Sequence, residues 1–212
     1  MINAAIFGGS GFVGSNIAKI LAKHHNVKIT ATTSNSQAGN SPPPELGLGD
    51  LKFSPHAPDS AEGADVAFLA IPHGEGAALA KGLKCKVIDM TADHRLTHTF
   101  GMPEVYAKEI AGARLVANPG CYATGCILSA YPLRDIIERA VFDGISGYSG
   151  GGACSKYDYE ENVIAYKLTD HFHRKEIAKV LGRQISFTPH VVNAYAGLMI
   201  TAHIQLTGKC DA

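Results

Sequence analysis

Cys121 is the residue of this chain best placed for covalent chemistry. It lies in Asn118-Pro119-Gly120-Cys121-Tyr122-Ala123-Thr124, after the apolar run 113–117 and ahead of a helical pattern carried by Cys126, Ile127 and Ala130. A cysteine at a helix start meets unsatisfied N–H groups and the positive end of the dipole, which favour thiolate over thiol. A thiolate is what attack on a carbonyl or an acyl phosphate requires. Cys85, Cys126 and Cys154 lack that setting and read as small core residues. Downstream, Asp170-His171-Phe172-His173-Arg174-Lys175-Glu176 begins a short helix that continues through Ile177, Val180 and Leu181. Two histidines there can supply a general acid/base. His-x-His is also a metal pair, but no further cysteine or acid stands at ligand spacing, so no metal is expected. The glycine-rich run 148–152 is N–H-rich, fit to cradle a phosphate or oxyanion or simply to turn the chain.

These groups need elements to position them. Residues 3–7 form an apolar run ending in Gly8-Gly9-Ser10-Gly11-Phe12-Val13-Gly14, followed by a helical pattern with Val13, Ile17, Ile20 and Leu21 on one face. Strand, glycine turn and helix make the setting of a dinucleotide fingerprint. Gly8 takes the tight turn, Gly11 admits the pyrophosphate to the backbone, and Gly14 permits close packing. The next strand, 27–33, ends in Thr32-Thr33-Ser34-Asn35-Ser36. NAD enzymes place an acid there for the ribose hydroxyl. Hydroxyls instead can donate to a 2′-phosphate, which points to NADP; the alternative is a polar turn capped by Ser and Asn. Residues 39–51, with three prolines and three glycines, read as a loop without regular structure. Strands at 65–72, 86–90 and 113–117 complete a parallel, Rossmann-like α/β pattern. Its ligand-binding ends are 8–10, 33–36, 72–73, 91–95 and 118–121, which should be neighbours. The expected organisation is a mostly parallel-sheet NADP-binding domain over 1–118, then a smaller α+β substrate and dimerisation domain over 119–212.

Composition narrows the class. Lys+Arg and Asp+Glu balance at 19 each, so no basic face calls for nucleic acid or anionic lipid. With 46% apolar residues the 212-residue chain can bury a core or two small lobes. No run approaches the roughly 20 apolar residues of a membrane span, and the N-terminus has no cationic n-region. Five cysteines without a CxxC pair speak against disulfides and structural zinc, and for a reducing, cytoplasmic setting.

Five segments, GGSGFVGS, FLAIPHGEG, VIDMTADHRL, ARLVANPGCYATG and DHFHRKEI followed by SFTPH, together resemble the N-acetyl-γ-glutamyl-phosphate reductase family, related to aspartate-semialdehyde dehydrogenase. The resemblance spans nearly the whole chain and is most specific at NPGCY. It implies that Cys121 forms an acyl-thioester that NADPH reduces to a semialdehyde, with His171 as acid/base. Arg95, Asn118, Ser149, Gly150, His173 and Glu176 would face the acyl-phosphate substrate. Gly8, Ser10, Gly11, Phe12, Val13, Ser34, Ser36, Pro72 and His73 would hold NADP. Two departures stand out. The family continues past the strand pattern at 198–206, whereas this chain ends at Ala212, so the second domain is expected to be incomplete relative to the family. The strand would then be an exposed edge that another chain covers, and a homo-oligomer (dimer or tetramer) is expected. After Thr188-Pro189-His190 the family carries a proline and an arginine, both missing here. Alternatives are a reductase of aspartyl or carrier-linked aminoadipyl phosphate, or a non-catalytic NADP-binding remnant. Joint retention of Cys121, His171 and Arg95 argues against the remnant. A short-chain dehydrogenase would need Tyr-x-x-x-Lys, which is absent.

Overall fold

The structure, a computed structural model, describes residues 1–151 and 161–208. Contacts divide the chain into two compact units, Met1–Asn118 and Pro119–Ala212.

The first unit is a seven-stranded, wholly parallel sheet. Its strands are β1 (Ile2–Phe7), β2 (Val27–Thr33), β3 (Phe53–Ser54), β4 (Val66–Leu69), β5 (Lys86–Asp89), β6 (Thr99–Phe100) and β7 (Leu115–Ala117), in the order β3-β2-β1-β4-β5-β7-β6. Helices α1 (Phe12–Leu21), α2 (Gly76–Gly82) and α3 (Pro103–Gly112) provide crossovers. The chain reverses direction across the sheet between β1 and β4, the switch point at which α/β sheets bind ligands. Ala4 to Phe7 are fully buried, as a central strand covered on both faces requires. One face packs Ala5, Phe7, Ala67, Leu69 and Val87 with Ala80 and Leu83, and the other packs Ile6 with Ala18, Leu46 and Leu48.

Two expectations are corrected here. Helix α1 buries Gly14 and Ala18, flanked by the partly buried Ile17 and Leu21, while Val13 and Ile20 are exposed. Residues 14, 17, 18 and 21 follow the i, i+3, i+4, i+7 spacing, and their small members let the helix lie close to β1. The stretch 39–51 is not structureless, because Pro44–Leu46 forms one 3₁₀ turn that delivers Leu46 and Leu48 into the core.

The second unit holds a four-stranded mixed sheet in the order β11-β8-β10-β9, from β8 (Ile137–Gly147), β9 (Val163–Ala165), β10 (Ile185–Val192) and β11 (Leu198–Leu206). β8 and β10 run parallel, whereas β11 and β9 pair antiparallel to them. Among the described residues β11 forms one edge, its alternation half-burying Ile200, Ala202, Ile204 and Leu206. Helices α4 (Cys121–Ala130) and α5 (His173–Leu181) pack on each other. Helix α5 starts at His173, so His171 precedes it. Phe142, Ile127, Ile137 and Ile177 are fully buried, each contributing about 1.5–3 kcal/mol of apolar transfer free energy.

Candidate active site

Helix α4 buries Tyr122, Ala123, Cys126, Ile127 and Ala130, one face at i, i+1, i+4, i+5 and i+8. That rotation turns Cys121, its first residue, outward, and Cys121 is exposed while Cys126 is buried. Burial pushes the Cys126 thiol up to about 12. Cys85 is only half-buried, and Cys154 lies outside the described residues. The cap residue Gly120 has no side-chain hydrogen bond to the helix start. Its own N–H donates to Glu176 Oε2 at 2.9 Å. Glu176, expected against the substrate, is instead fully buried, where it pins the turn that carries Cys121. The His173 ring lies so close to Gly120 that a Cβ there would meet Nε2 at 2.0 Å, so any larger residue must displace the ring or the turn. His173 Nε2 also lies 3.9 Å from Glu176 Oε1.

Both histidines edge onto the Tyr122 ring, with centroids 6.0 Å away in each case, and lie 4.6 Å from each other. Phe187 and Tyr166 complete the wall around His171, at 5.3 and 5.7 Å. Burial there, helped by Lys167 and opposed by Asp170, lowers the His171 pKa to about 4, so the ring is neutral at pH 7. His171 Nδ1 accepts the His173 backbone N–H at 3.2 Å, which keeps the ring proton on Nε2. The Tyr122 hydroxyl donates to the His190 carbonyl at 2.7 Å and lies 2.8 Å from Ser146 Oγ. Sequence reasoning missed Tyr122, Ser146 and His190. The expected phosphate cradle is a 3₁₀ turn, Tyr148–Gly151. The Tyr148 and Ser149 N–H groups are spent on the carbonyls of Ala194 and Tyr195, and Ser149 is buried. Gly150 remains exposed beside Ser146, while Gly152 lies outside the described residues.

In the first unit the glycine turn closes on itself. Gly8 has φ +83°, and a Cβ there would meet the Ala70 carbonyl at 2.1 Å. A Cβ at Gly14 would meet the Gly8 carbonyl at 2.1 Å, so α1 can start this close to β1 only with glycine. The N–H groups of Gly8 and Gly9 donate to the Thr33 carbonyl at 3.1 and 2.9 Å. Ser10 Oγ lies 2.7 Å from Ser34 Oγ, which lies 3.4 Å from Ser36 Oγ, so the turn and the end of β2 share one hydroxyl chain. Helix α1 begins without a side-chain cap, and Ser10, Gly11, Phe12 and Val13 are exposed around its positive end, a setting that fits a pyrophosphate.

The loops after β4 and β5 are tied together. The buried Asp89 accepts the Thr91 N–H at 2.8 Å and the Thr91 hydroxyl at 3.0 Å, and lies 2.6 Å from His94 Nδ1. Asp93 accepts the N–H groups of Gly74 and Ala77 at 2.7 and 3.1 Å. Partial burial works to raise its pKa, but these N–H groups outweigh it and hold the carboxyl below the usual range. His73, next to Pro72, accepts the Ala92 N–H at 3.0 Å. Arg95 is buried and donates to the Met90 carbonyl at 3.0 Å. Asn118 ends the strand series with its N–H on the Asp89 carbonyl at 2.8 Å. The scaffold residues Asp89, Asp93 and His94 were also missed, since nothing in their spacing distinguishes them from a polar loop.

Comparison with known proteins places this geometry. Residues 3–113 match the family model described as semialdehyde dehydrogenase, NAD binding domain, and residues 121–212 match semialdehyde dehydrogenase, dimerisation domain. The N-acetyl-gamma-glutamyl-phosphate reductase of Methanoregula boonei is 38% identical, over 97% of this chain and 73% of the relative. A putative [LysW]-L-2-aminoadipate/[LysW]-L-glutamate phosphate reductase of Pyrococcus furiosus is 35% identical, over 99% of this chain and 71% of the relative. The crystal structure of aspartate semialdehyde dehydrogenase with NADP from Candida albicans superposes with a TM-score of 0.80 at 15% identity, covering 100% of this chain and 73% of that one. The fold is therefore that of the aspartate semialdehyde dehydrogenases. The chain belongs to the semialdehyde dehydrogenase family and, within it, to the N-acetyl-γ-glutamyl-phosphate reductases.

Proposed function

We propose that this chain reduces N-acetyl-γ-glutamyl phosphate to N-acetylglutamate semialdehyde, with NADPH as reductant and Cys121 as nucleophile. The observation that carries the reading is the outward placement of Cys121 at the first position of α4, on a turn held by Glu176 and His173. The Cys121 thiolate attacks the acyl carbon, the C–O bond to phosphate breaks, and the departing phosphate takes up a solvent proton. Backbone N–H groups at the α4 start hold the oxygen that turns negative in the tetrahedral stage. His171 is neutral with its proton on Nε2 and donates a hydrogen bond to that oxygen. NADPH, when bound, supplies the hydride that reduces the thioester. Collapse of the resulting alkoxide releases the aldehyde and returns the thiolate, ready for the next turnover.

Gly8, Ser10, Gly11, Phe12, Val13, Ser34, Ser36, Pro72 and His73 are the residues proposed to hold NADP, and a fold relative crystallised with NADP supports that cofactor. Arg95, Asn118, Gly150 and His173 are proposed on the substrate side, with Ser149 and Glu176 acting from behind them. The matched dimerisation domain supports a homo-oligomer; a dimer or tetramer, in the cytoplasm, is proposed. No helix among the described residues is long and apolar enough to cross a membrane. The reading is tested by phosphate-dependent NADP reduction with N-acetylglutamate semialdehyde. The parent should turn over and Cys121→Ser should not, and an intact parent that binds NADP without turnover refutes the mechanism. The Pyrococcus furiosus relative favours one second reading, a carrier-linked aminoadipyl or glutamyl phosphate as substrate. Rates with each acyl phosphate separate the two.

A further inference from the structure

The end of β2 poses an electrostatic question that its hydroxyls do not answer. A 2′-phosphate is close to dianionic at neutral pH, yet no lysine or arginine occurs between Lys28 and Lys52. Lys28 lies at the start of β2, away from its carboxyl end. Lys52 precedes β3, whose Phe53 is level with Thr32, so Lys52 also starts below the strand ends. Ser34, the central hydroxyl of the expected phosphate contact, is buried and already engaged by Ser10 and by the Gln37 N–H at 3.2 Å.

His56 stands beside that end. Its Nδ1 lies 2.6 Å from Thr33 Oγ1, and its backbone N–H donates to Asn35 Oδ1 at 2.8 Å. The chain just after β3 is thereby fastened to two residues of the very segment where cofactor choice is made. The Phe7 ring, 6.4 Å away and tilted by 52°, backs the imidazole, which is half-buried. With Nδ1 committed to Thr33, Nε2 is the ring nitrogen left to meet a ligand. Thr33 Oγ1 also accepts the Gly8 N–H at 3.4 Å, so the same side chain touches the glycine turn and the imidazole.

We infer that His56 selects NADP over NAD, with its imidazolium supplying the positive charge that the 2′-phosphate meets at the end of β2. The inference rests on the cofactor reading above and adds to it a residue and a pH dependence. Partial burial lowers the pKa of His56 from 6.5, opposed by the carboxylate of Glu75, the charged group that acts on it. Thr33, Asn35 and Phe7, its other neighbours, carry no charge. A bound phosphate dianion adds attraction for the proton, so NADP binding takes up a proton at His56. Preference for NADP is then greatest at low pH and declines as pH rises through the bound-state pKa, while NAD binding lacks this dependence.

The test measures NADP and NAD binding by titration calorimetry from pH 6.5 to 8.5, in buffers of differing ionisation enthalpy, for the parent, His56→Gln, His56→Lys and Lys52→Ala. The parent should take up protons with NADP only. His56→Gln should lose about ten- to hundredfold in NADP affinity at pH 6.5, the value of a charge-assisted hydrogen bond, with NAD affinity unchanged. His56→Lys should keep the preference and lose its pH dependence, and Lys52→Ala should behave as the parent. Unchanged NADP preference and proton uptake in His56→Gln, or loss of both in Lys52→Ala alone, overturns the assignment to His56. Failure of the parent to bind NADP at all overturns the cofactor reading, and this inference with it.

Discussion

Replacing Gly120 by alanine tests whether the turn before Cys121 is built around His173. The backbone is no obstacle, since Gly120 sits at φ −68° and ψ 152°, open to any residue. The added Cβ is the whole perturbation. It would stand 2.0 Å from His173 Nε2, 2.4 Å from Cδ2 and 2.5 Å from Cε1. Ordinary contact begins near 3.4 Å, so ring or turn must give by about 1.4 Å (3.4 − 2.0). The ring has little room, with Tyr122 and His171 against it at 6.0 and 4.6 Å. Overpacking of this kind costs about 1–3 kcal/mol, a fall of a few degrees in Tm for a chain of this size. A misplacement of about 1 Å at a catalytic turn costs about 100-fold in kcat. We expect Gly120→Ala to lose that factor while NADP binding to the first unit is unchanged. Adding His173→Ala should recover much of the stability, a coupling that a thermodynamic cycle reads directly. Wild-type Tm and kcat in Gly120→Ala would falsify the contact and the reasoning built on it.

Two further outcomes follow from titration and exposure. His171 falls from 6.5 to about 4 in the folded chain, so the unfolded chain binds more protons between those values. Its contribution is complete above pH 6.5 and is lost as pH falls toward 4. Taken in full the 2.5-unit difference is worth about 3.4 kcal/mol; solvent screening of a half-buried ring reduces it to about 1–2 kcal/mol. Urea melts at pH 7 and pH 5 should show rather more than half of this loss, since pH 5 lies between the two pKa values, and His171→Gln should flatten it; an equal slope in the variant sinks the assignment. Cys121 is exposed, whereas Cys126 is buried with its thiol pushed up to about 12. Iodoacetamide at neutral pH should therefore label Cys121 before Cys126, as tandem mass spectrometry of the peptide holding both will read; preferential labelling of Cys126 contradicts the burial described.

The parts of the fold that could be read in advance were those whose signal is contiguous. The strand, glycine turn and helix at 2–21 announce themselves because steric demand and apolar periodicity coincide there. Strands β3 and β6 have two residues each, too few for any alternation, and exist only because β2 and β7 offer them an edge. The central strand of the second sheet, β8, was also missed, although it is the longest strand described. Its buried positions include Ala140, Gly144, Ser146 and Gly147, small or polar residues that a hydrophobic pattern does not register. Gly144 is small for a reason visible only in three dimensions, since a Cβ there would meet the Tyr122 ring at 2.5 Å.

The site divides along the same line. The exposed helix-start placement of Cys121 was legible because it depends on the immediate chain context, a strand end followed by a helix start. Glu176 was legible as a residue and not as a role. It acts on the Gly120 N–H across 56 residues of sequence, and nothing local says that its carboxylate turns inward. The same holds for Tyr122, whose hydroxyl reaches His190 across 68 residues. Both contacts order backbone rather than touch a reacting atom. A buried carboxylate on one N–H and a buried phenol on one carbonyl are strong only where water is excluded. The proposed nucleophile is thus named by a short segment, but the turn that carries it is held by long-range polar contacts that depend on the packed second unit.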